Sequence, residues 1–247
     1  MIKVRGLSKA FGALRAVDQL SFDAAANRVT SIIGPNGAGK SSAFNLIAGT
    51  LRPDSGSVEL EGRDITGQPP YALTKLGVAR SFQITNLFFG LSVFENIRLA
   101  CQNAQPRGRY LVRLDRLAEP RERAVQILSQ FGLTHQAEEL VGNLSHGDQR
   151  RVEIALCMAL SPKLLMLDEP TQGMSPAETA EIDALIKSLA GSVTVLLIEH
   201  DIELVMGLSD HVVVMHQGKK LFEGTPAQVR ASPLVREAYL GEDHAAA

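Results

Sequence analysis

Continuous apolar runs of strand length recur in the second half of the chain. They occupy residues 164–167, 193–198 and 212–215. Runs without polar alternation are typical of parallel strands that are buried on both faces of a sheet. Between the first two runs, the apolar residues Ile182, Leu185, Ile186 and Leu189 have the spacing of a helix that packs on a sheet. Strand and helix in alternation predict an α/β protein with a mostly parallel sheet.

The N-terminal part of the chain has a different pattern. Residues 2–7 and 20–22 are short strand-like runs. Residues 58–65 combine apolar residues with a glycine and a polar side, which is typical of a β-hairpin. These runs predict an antiparallel sheet near the N-terminus. Residues 29–33 form a further short strand, a Gly-rich loop follows, and residues 41–48 carry apolar side chains at helical spacing.

The segment from about residue 92 to 160 is rich in Leu, Arg, Glu and Gln and has few strand-like runs, which predicts a helical insertion. Gly132 and Gly142 are expected at helix ends, where glycine is common. Thr225 and Pro226 predict the start of a short C-terminal helix, because Thr is a favoured N-cap and Pro suits the first helical position.

The Gly-rich loop matches the phosphate-loop pattern G-x-x-x-x-G-K-[ST] at residues 34–41. Its glycines permit backbone angles that turn successive N–H groups inward around an anion, and the following helix adds its positive end. Lys40 is expected to reach the β- and γ-phosphates and Ser41 to bind Mg²⁺. The predicted nucleotide contacts are Asn36, Gly37, Ala38, Gly39, Lys40, Ser41 and Ser42. A Gly-rich surface turn is the alternative, but a strand before the loop and a helix after it favour phosphate binding.

Two adjacent carboxylates, Asp168 and Glu169, end one of the apolar runs. The carboxyl ends of parallel strands line the usual ligand crevice of an open sheet. Asp168 is therefore expected to hold Mg²⁺ and Glu169 to polarise the water that attacks the γ-phosphate. The alternative is a helix-capping acidic pair, because Pro170 and Thr171 follow.

Three further motifs narrow the family. Residues 144–150 read LSHGDQR, Gln83 lies upstream of them, and His200 follows the run at residues 193–198. With the phosphate loop before them, these motifs resemble those of the ATP-binding subunits of ABC transporters, and the resemblance extends over residues 2–241. Gln83 matches the Q-loop glutamine, His200 the switch histidine, and Phe11 the aromatic residue that stacks on adenine.

The resemblance implies a RecA-like phosphate-loop core and a nucleotide held between two chains that meet head to tail. Ser145 and Gly147 would contact the γ-phosphate bound by the partner chain, and His200 would sense that phosphate. Glu169, His200 and Gln83 would be catalytic, with Gln83 also a metal ligand beside Ser41 and Asp168. His146, Asp148 and Ser175 depart from the common family pattern.

The same resemblance divides the chain into three parts. Residues 1–91 would hold the antiparallel subdomain and the first part of the RecA-like core. Residues 92–160 would form the helical subdomain that ends in the signature motif and its helix. Residues 161–247 would complete the core and add a C-terminal helix.

Residues 78–83, 86–96, 147–155 and 238–242 look like those of importers of hydrophobic amino acids, above all the larger ATPase subunit of branched-chain amino-acid importers. Such systems imply a second ATPase subunit, identical or different, two transmembrane permease subunits and, indirectly, a periplasmic substrate-binding protein. Import of urea or short amides and lipopolysaccharide export are alternatives. A soluble ABC ATPase that acts on DNA or ribosomes would belong to a different class.

Composition limits these choices. The chain has 247 residues and a formal net charge of -2, which argues against a general nucleic-acid binder. Cys101 and Cys157 are its two cysteines, which suits a reducing compartment. No apolar run approaches 18 residues, so we expect no membrane span. The resemblance to ABC transporter subunits implies a peripheral position on the cytoplasmic side of the inner membrane. An Asn-Lys-x-Asp motif is absent, which disfavours a GTPase.

Two segments are candidates for contact with a permease or with the membrane surface. Phe88, Phe89 and Leu91 follow the Q-loop, where the resemblance places a permease coupling helix; the alternative is that they form the small core of the helical subdomain. Arginines are frequent between residues 107 and 123. This basic stretch is expected to be a solvated helix face, with contact to anionic lipid or to the permease as the alternative.

Overall fold

The structure is a computed structural model that describes residues 1–81, 87–103 and 118–243. The strands are β1 (Ile2–Phe11), β2 (Leu14–Ala24), β3 (Val29–Ile33), β4 (Ser55–Leu60), β5 (Arg63–Asp64), β6 (Val78–Arg80), β7 (Leu164–Asp168), β8 (Thr194–Ile198), β9 (His211–His216) and β10 (Lys219–Gly224). The helices are α1 (Lys40–Ile47), α2 (Pro70–Lys75), α3 (Val93–Asn103), α4 (Ala118–Gln130), α5 (His146–Ala159), α6 (Pro176–Ala190), α7 (Ile202–Leu208), α8 (Pro226–Ala231) and α9 (Pro233–Asp243).

The N-terminal strands form the expected antiparallel sheet, in the order β2-β1-β4-β5. The predicted hairpin is confirmed, since Glu59 pairs with Asp64 and Leu60 with Arg63. β1 and β2 are longer than their apolar runs. They continue to a tight hairpin in which Phe11 pairs with Leu14.

The second sheet has six strands in the order β10-β9-β3-β8-β7-β6. Five of them are parallel, as the apolar runs predict, and β10 is antiparallel to β9 at one edge. Both faces of the sheet are covered. In β7, Leu164 and Met166 face a core shared with the N-terminal sheet and α1, whereas Leu165 and Leu167 face a core shared with α3 to α6.

The described part of the segment between residues 92 and 160 is helical, as predicted. It consists of α3, α4 and α5 with two short 3-10 turns, Thr134–Gln136 and Val141–Asn143. Gly132 follows the end of α4 with φ +68°, as expected for a helix end. The prediction for Gly142 is wrong, because this residue lies within the second 3-10 turn and no α-helix ends there.

Other elements were not apparent from the sequence. β6 has three residues, and β10 reads KKLFEG with only Leu221 and Phe222 apolar, so neither resembles a buried apolar run. The predicted C-terminal helix begins where expected, with Thr225 as the N-cap of α8 and Pro226 as its first residue. A further helix, α9, follows it.

Candidate nucleotide-binding site

The phosphate loop lies between β3 and α1, with close backbone neighbours on two sides. Gly34 has φ +152° and a Cβ there would lie 2.1 Å from the carbonyl oxygen of Met215. Gly39 has φ +98° and a Cβ there would lie 2.2 Å from the carbonyl oxygen of Ala16. No side chain fits at either position, so both glycines are required by the shape of the loop.

Lys40 is the first residue of α1 and is buried. Its ammonium donates hydrogen bonds to the carbonyl oxygens of Gly34 and Pro35, at 2.6 and 2.9 Å. The loop therefore wraps around the Lys40 side chain. Asn36, Gly37 and Ser41 are exposed, Ala38 is buried, and Gly39 and Ser42 are partly exposed.

Asp168 ends β7 and is almost fully buried. Its carboxylate accepts a hydrogen bond of 3.1 Å from the guanidinium of Arg80, the last residue of β6. The same guanidinium donates to Asn45 on α1 at 2.7 Å and lies 5.0 Å from the ring centroid of Phe44. Arg80 therefore joins the carboxylate expected to hold the metal to the helix that follows the phosphate loop.

Glu169 follows Asp168 in a left-handed backbone conformation, with φ +44°. Its N–H donates to the carbonyl oxygen of Ile198 in β8, at 2.9 Å. The next helix is capped by Ser175 through a capping box with Glu178. The alternative that Asp168 and Glu169 cap a helix is therefore wrong.

His200 follows the end of β8 and is exposed. Its Nδ1 lies 3.8 Å from a carboxylate oxygen of Glu169 and 3.8 Å from one of Glu199. The structure thus brings His200 and Glu169 together, as the prediction requires. Because β3, β7 and β8 are neighbouring parallel strands, their carboxyl ends place the phosphate loop, the two acidic residues and His200 at one edge of the sheet.

Glu199 is a fully buried carboxylate whose role the sequence did not suggest. It accepts hydrogen bonds from the N–H and the hydroxyl of Thr171, at 3.2 and 2.8 Å. Burial raises the pKa of Glu199, and the bonds from Thr171 oppose that rise. Its bonds to Thr171 link the segment after Glu169 to the segment that carries His200.

Ser145 is the N-cap of α5 and its hydroxyl accepts the N–H of Asp148 at 3.1 Å. Ser145 and His146 are exposed at the end of the helix. Gly147 is buried and its N–H donates to Glu178 of α6 at 3.3 Å. A Cβ on Gly147 would lie 2.9 Å from that carboxylate, so a larger residue would displace the Glu178 side chain.

Phe11 is half exposed at the tip of the β1–β2 hairpin. Ala16, whose carbonyl faces Gly39, lies in β2 of the same hairpin, so this strand passes beside the phosphate loop. On another side of the loop, a cleft of about 540 Å³ extends between Asn36 and α9. The stacking role of Phe11 stays a prediction.

Phe82 and Gln83 lie outside the described residues, as do Arg107, Arg109, Arg113 and Arg116. Phe88 and Phe89 are 60% and 46% exposed. The alternative that these two residues form the core of the helical subdomain is therefore wrong. Arg121 and Arg123 are also exposed, and the Arg121 guanidinium lies 5.2 Å from the ring centroid of Phe94.

Arg150 is another residue whose role sequence reasoning missed. It lies in α5, and its guanidinium donates to the carbonyl oxygens of Asp168, Glu169 and Pro170. The motif LSHGDQR contains it, but nothing in that motif indicates a contact with a strand end that lies 18 residues further on.

In residues 1–81, 87–103 and 118–243, we find no group of three or more His, Cys, Asp or Glu side chains that could hold a metal. The hydroxyl of Ser41 and the carboxylate of Asp168 are oxygen donors of the kind that Mg²⁺ prefers. Since Mg²⁺ in such sites is commonly held by one or two carboxylates and the phosphates of a substrate, these residues fit that ion.

These features define a phosphate-loop ATPase. Residues 17–172 match the family model described as ABC transporter, and residues 219–245 match one described as branched-chain amino acid ATP-binding cassette transporter. The chain belongs to the ABC transporter family of ATP-binding proteins and is an ATP-binding ATPase. The family resemblance drawn from the sequence and the α/β fold that it implied are confirmed.

Similar proteins include the high-affinity branched-chain amino acid transport ATP-binding proteins LivG of Salmonella typhimurium and BraF of Pseudomonas aeruginosa. LivG is 42% identical over 250 residues and BraF 42% over 251 residues, and each alignment covers 98% of both chains.

Two solved structures are also informative. The ADP conformation of an ATP-binding cassette of an ABC transporter has a TM-score of 0.86 at 31% identity and covers 98% of each chain. A dimeric post-hydrolysis cassette bound to ADP and Pi has a TM-score of 0.76 at 26% identity, covering 92% of this chain and 99% of the other. Among the described residues, no helix has both the length and the apolar character needed to cross a bilayer.

Proposed function

We propose that this chain is the ATP-hydrolysing subunit of an importer for branched-chain or other hydrophobic amino acids. The observation that carries the ATPase mechanism is the meeting of the phosphate loop, Asp168, Glu169 and His200 at one edge of the parallel sheet. The identity with LivG and BraF over 98% of the chain supports the cargo class. So does the match of residues 219–245 to the branched-chain amino acid family model.

The phosphate loop binds the β- and γ-phosphates through its N–H groups and Lys40. Ser41, Asp168 and Gln83 would hold Mg²⁺, which would neutralise charge that develops on the phosphates. Glu169 accepts a proton from the attacking water, and the turn that carries it sets the direction of its carboxylate. His200 donates a hydrogen bond to the γ-phosphate and so distinguishes ATP from ADP. Phe11 stacks on the adenine ring.

The nucleotide is held between two chains. Ser145 and His146 are exposed at the N-terminal end of α5, where the helix dipole favours a negative charge. In a head-to-tail pair, this end faces the γ-phosphate on the partner chain, and Ser145 and Gly147 contact it. The second chain is either another copy or a related ATPase subunit, and the solved dimer of a similar cassette supports such an assembly.

The exposed Phe88 and Phe89 side chains are proposed to receive a coupling helix of the transmembrane permease. The chain would then sit on the cytoplasmic side of the inner membrane as a peripheral subunit. A periplasmic binding protein would deliver the cargo to the permease and would act on this chain only indirectly. Nucleic acid is not expected as a partner.

The test is the variant Glu169→Gln, which keeps the side-chain shape but removes the proton acceptor. ATP turnover is expected to fall at least about 100-fold, while ATP binding persists and a dimer accumulates with ATP. Glu203→Gln on the exposed face of α7 is the matched control and should turn over normally. Normal turnover by Glu169→Gln would refute the assigned role.

The cargo is tested on the complete complex, purified with its companion chains and reconstituted in vesicles. Uptake of radiolabelled leucine or isoleucine should require ATP and stop in complexes that contain Glu169→Gln. Uptake of urea or a short amide in place of the amino acids would keep the ATPase assignment but overturn the proposed cargo.

A further inference from the structure

One arginine of the helical segment holds the backbone that carries the proposed catalytic carboxylate. The Nε of Arg150 donates to the carbonyl oxygen of Pro170 at 3.0 Å. One of its terminal nitrogens donates to the carbonyl oxygens of Asp168 and Glu169, at 3.0 and 2.9 Å. Three successive carbonyl groups are thus turned toward a single guanidinium.

The turn at Glu169 needs such support. Its φ of +44° is disfavoured for a residue that has a Cβ, and such conformations persist where surrounding contacts hold them. The N–H of Glu169 is held by Ile198, and its carbonyl oxygen accepts the N–H of Gln172 besides the bond from Arg150. The direction of the Glu169 side chain follows from this backbone.

The Arg150 guanidinium is itself held in place by a residue of its own helix, α5. Its remaining terminal nitrogen donates to Glu153 at 2.7 Å, and the two side chains are 11% and 6% exposed. Because the planar fork of an arginine has donors on several edges, it can pair with Glu153 and still reach the carbonyls. A lysine would keep the charge but has a single nitrogen, which cannot span the same set.

We propose that Arg150 is a positioning residue for ATP hydrolysis, which fixes the left-handed turn that aims Glu169 and ties this turn to the helix beginning at the signature motif. The inference rests on the role of Glu169 under the proposed function. In the head-to-tail pair, the N-terminal end of α5 contacts the nucleotide of the partner chain, whereas Glu169 acts on the nucleotide of its own chain. Arg150 then makes the alignment of Glu169 in one site depend on contacts made at the other.

The experiment compares Arg150→Met and Arg150→Lys with Arg98→Met. Arg98 is the matched control, because it also forms an i,i+3 pair, with Glu95, in the helical segment, and its hydrogen bonds to described residues stay within α3. Both Arg150 variants are expected to lose about 10- to 100-fold in kcat, with the KM for ATP and the Kd for a fluorescent ATP analogue changed less than about threefold. Hydrogen exchange should rise at the amides of residues 169–172, and the control should behave like the wild type.

A kcat within about twofold of wild type in folded Arg150→Met, or full activity in Arg150→Lys, overturns the proposal. A loss of nucleotide affinity equal to the loss of kcat also overturns it, because it indicates general damage to the fold. If Arg150→Met does not fold, Arg150→Lys decides by the same measurements. Glu169→Gln distinguishes a failure of the proposed function from a failure of this inference. Normal turnover by Glu169→Gln refutes the role of Glu169. If Glu169→Gln is inactive but the Arg150 variants are fully active, only the role of Arg150 is refuted.

Discussion

Removal of one partner from the buried ion pair between Arg80 and Asp168 is expected to destabilise the fold strongly. The N–O distance of the pair is 3.1 Å, and the two side chains are 13% and 2% exposed. Replacement of Arg80 by Met leaves a carboxylate buried without its cationic partner, which costs about 3–5 kcal/mol in comparable sites. For a domain of this size, that loss corresponds to a fall in Tm of roughly 6–20 °C.

The assay is a double-mutant cycle by thermal or urea unfolding, with Arg80→Met, Asp168→Asn and the double variant. Asn at position 168 removes the charge but keeps the shape, so the double variant should recover part of the loss. We expect a coupling of about 1–3 kcal/mol between the two sites. The matched control is the pair Arg28–Asp210, which has a distance of 2.8 Å but side chains that are 63% and 37% exposed.

The exposed control pair is expected to show a coupling of at most about 1 kcal/mol, because water screens its charges. Burial, and not distance, is therefore the quantity under test. A coupling for Arg80 and Asp168 no larger than that of the control would refute the reasoning. The bonds from Arg80 to Asn45 and its contact with Phe44 would then account for any destabilisation by Arg80→Met.

Two other predictions concern the loop and the thiols. Gly34→Ala should abolish ATP binding in titration calorimetry, because the added Cβ would meet the backbone of Met215. The control Gly191→Ala, whose added Cβ has no neighbour within 4 Å among the described residues outside its own helix, should bind ATP normally. Retained affinity in Gly34→Ala would contradict the close approach of Gly34 to Met215. Burial raises the pKa of the Cys157 thiol to about 12 and also raises that of Cys101. Since a raised thiol pKa leaves little thiolate at pH 8, neither should react with a disulfide reagent until the chain unfolds; rapid labelling of the native protein would count against this burial.

Several elements of the fold could be predicted because their signals are local in sequence. The runs at residues 164–167 and 193–198 indicate buried parallel strands, and both are interior strands of the six-stranded sheet. The phosphate loop is a local motif as well, since its glycines, Lys40 and Ser41 lie within eight residues. β10 could not be predicted in this way, because an edge strand is half exposed and lacks a continuous apolar run.

The contacts around the acidic residues depend instead on tertiary structure. Arg80 and Asp168 are separated by 88 residues, and Arg150 and Glu169 by 19 residues. Polar side chains of this kind are equally compatible with a solvated surface, so their residue types alone do not reveal a buried partner. The position of Gly147 against Glu178 is a similar case, since it depends on how two helix ends approach each other.

By itself, the sequence determined the class of the protein, because its motifs and apolar runs are short, contiguous and tied to particular backbone geometries. Only the tertiary structure decided that Glu169 lies in a left-handed turn, that Arg150 holds this turn and that Arg80 neutralises Asp168. Periodicity describes which face of an element is buried, whereas charge pairing depends on which elements become neighbours in the folded chain.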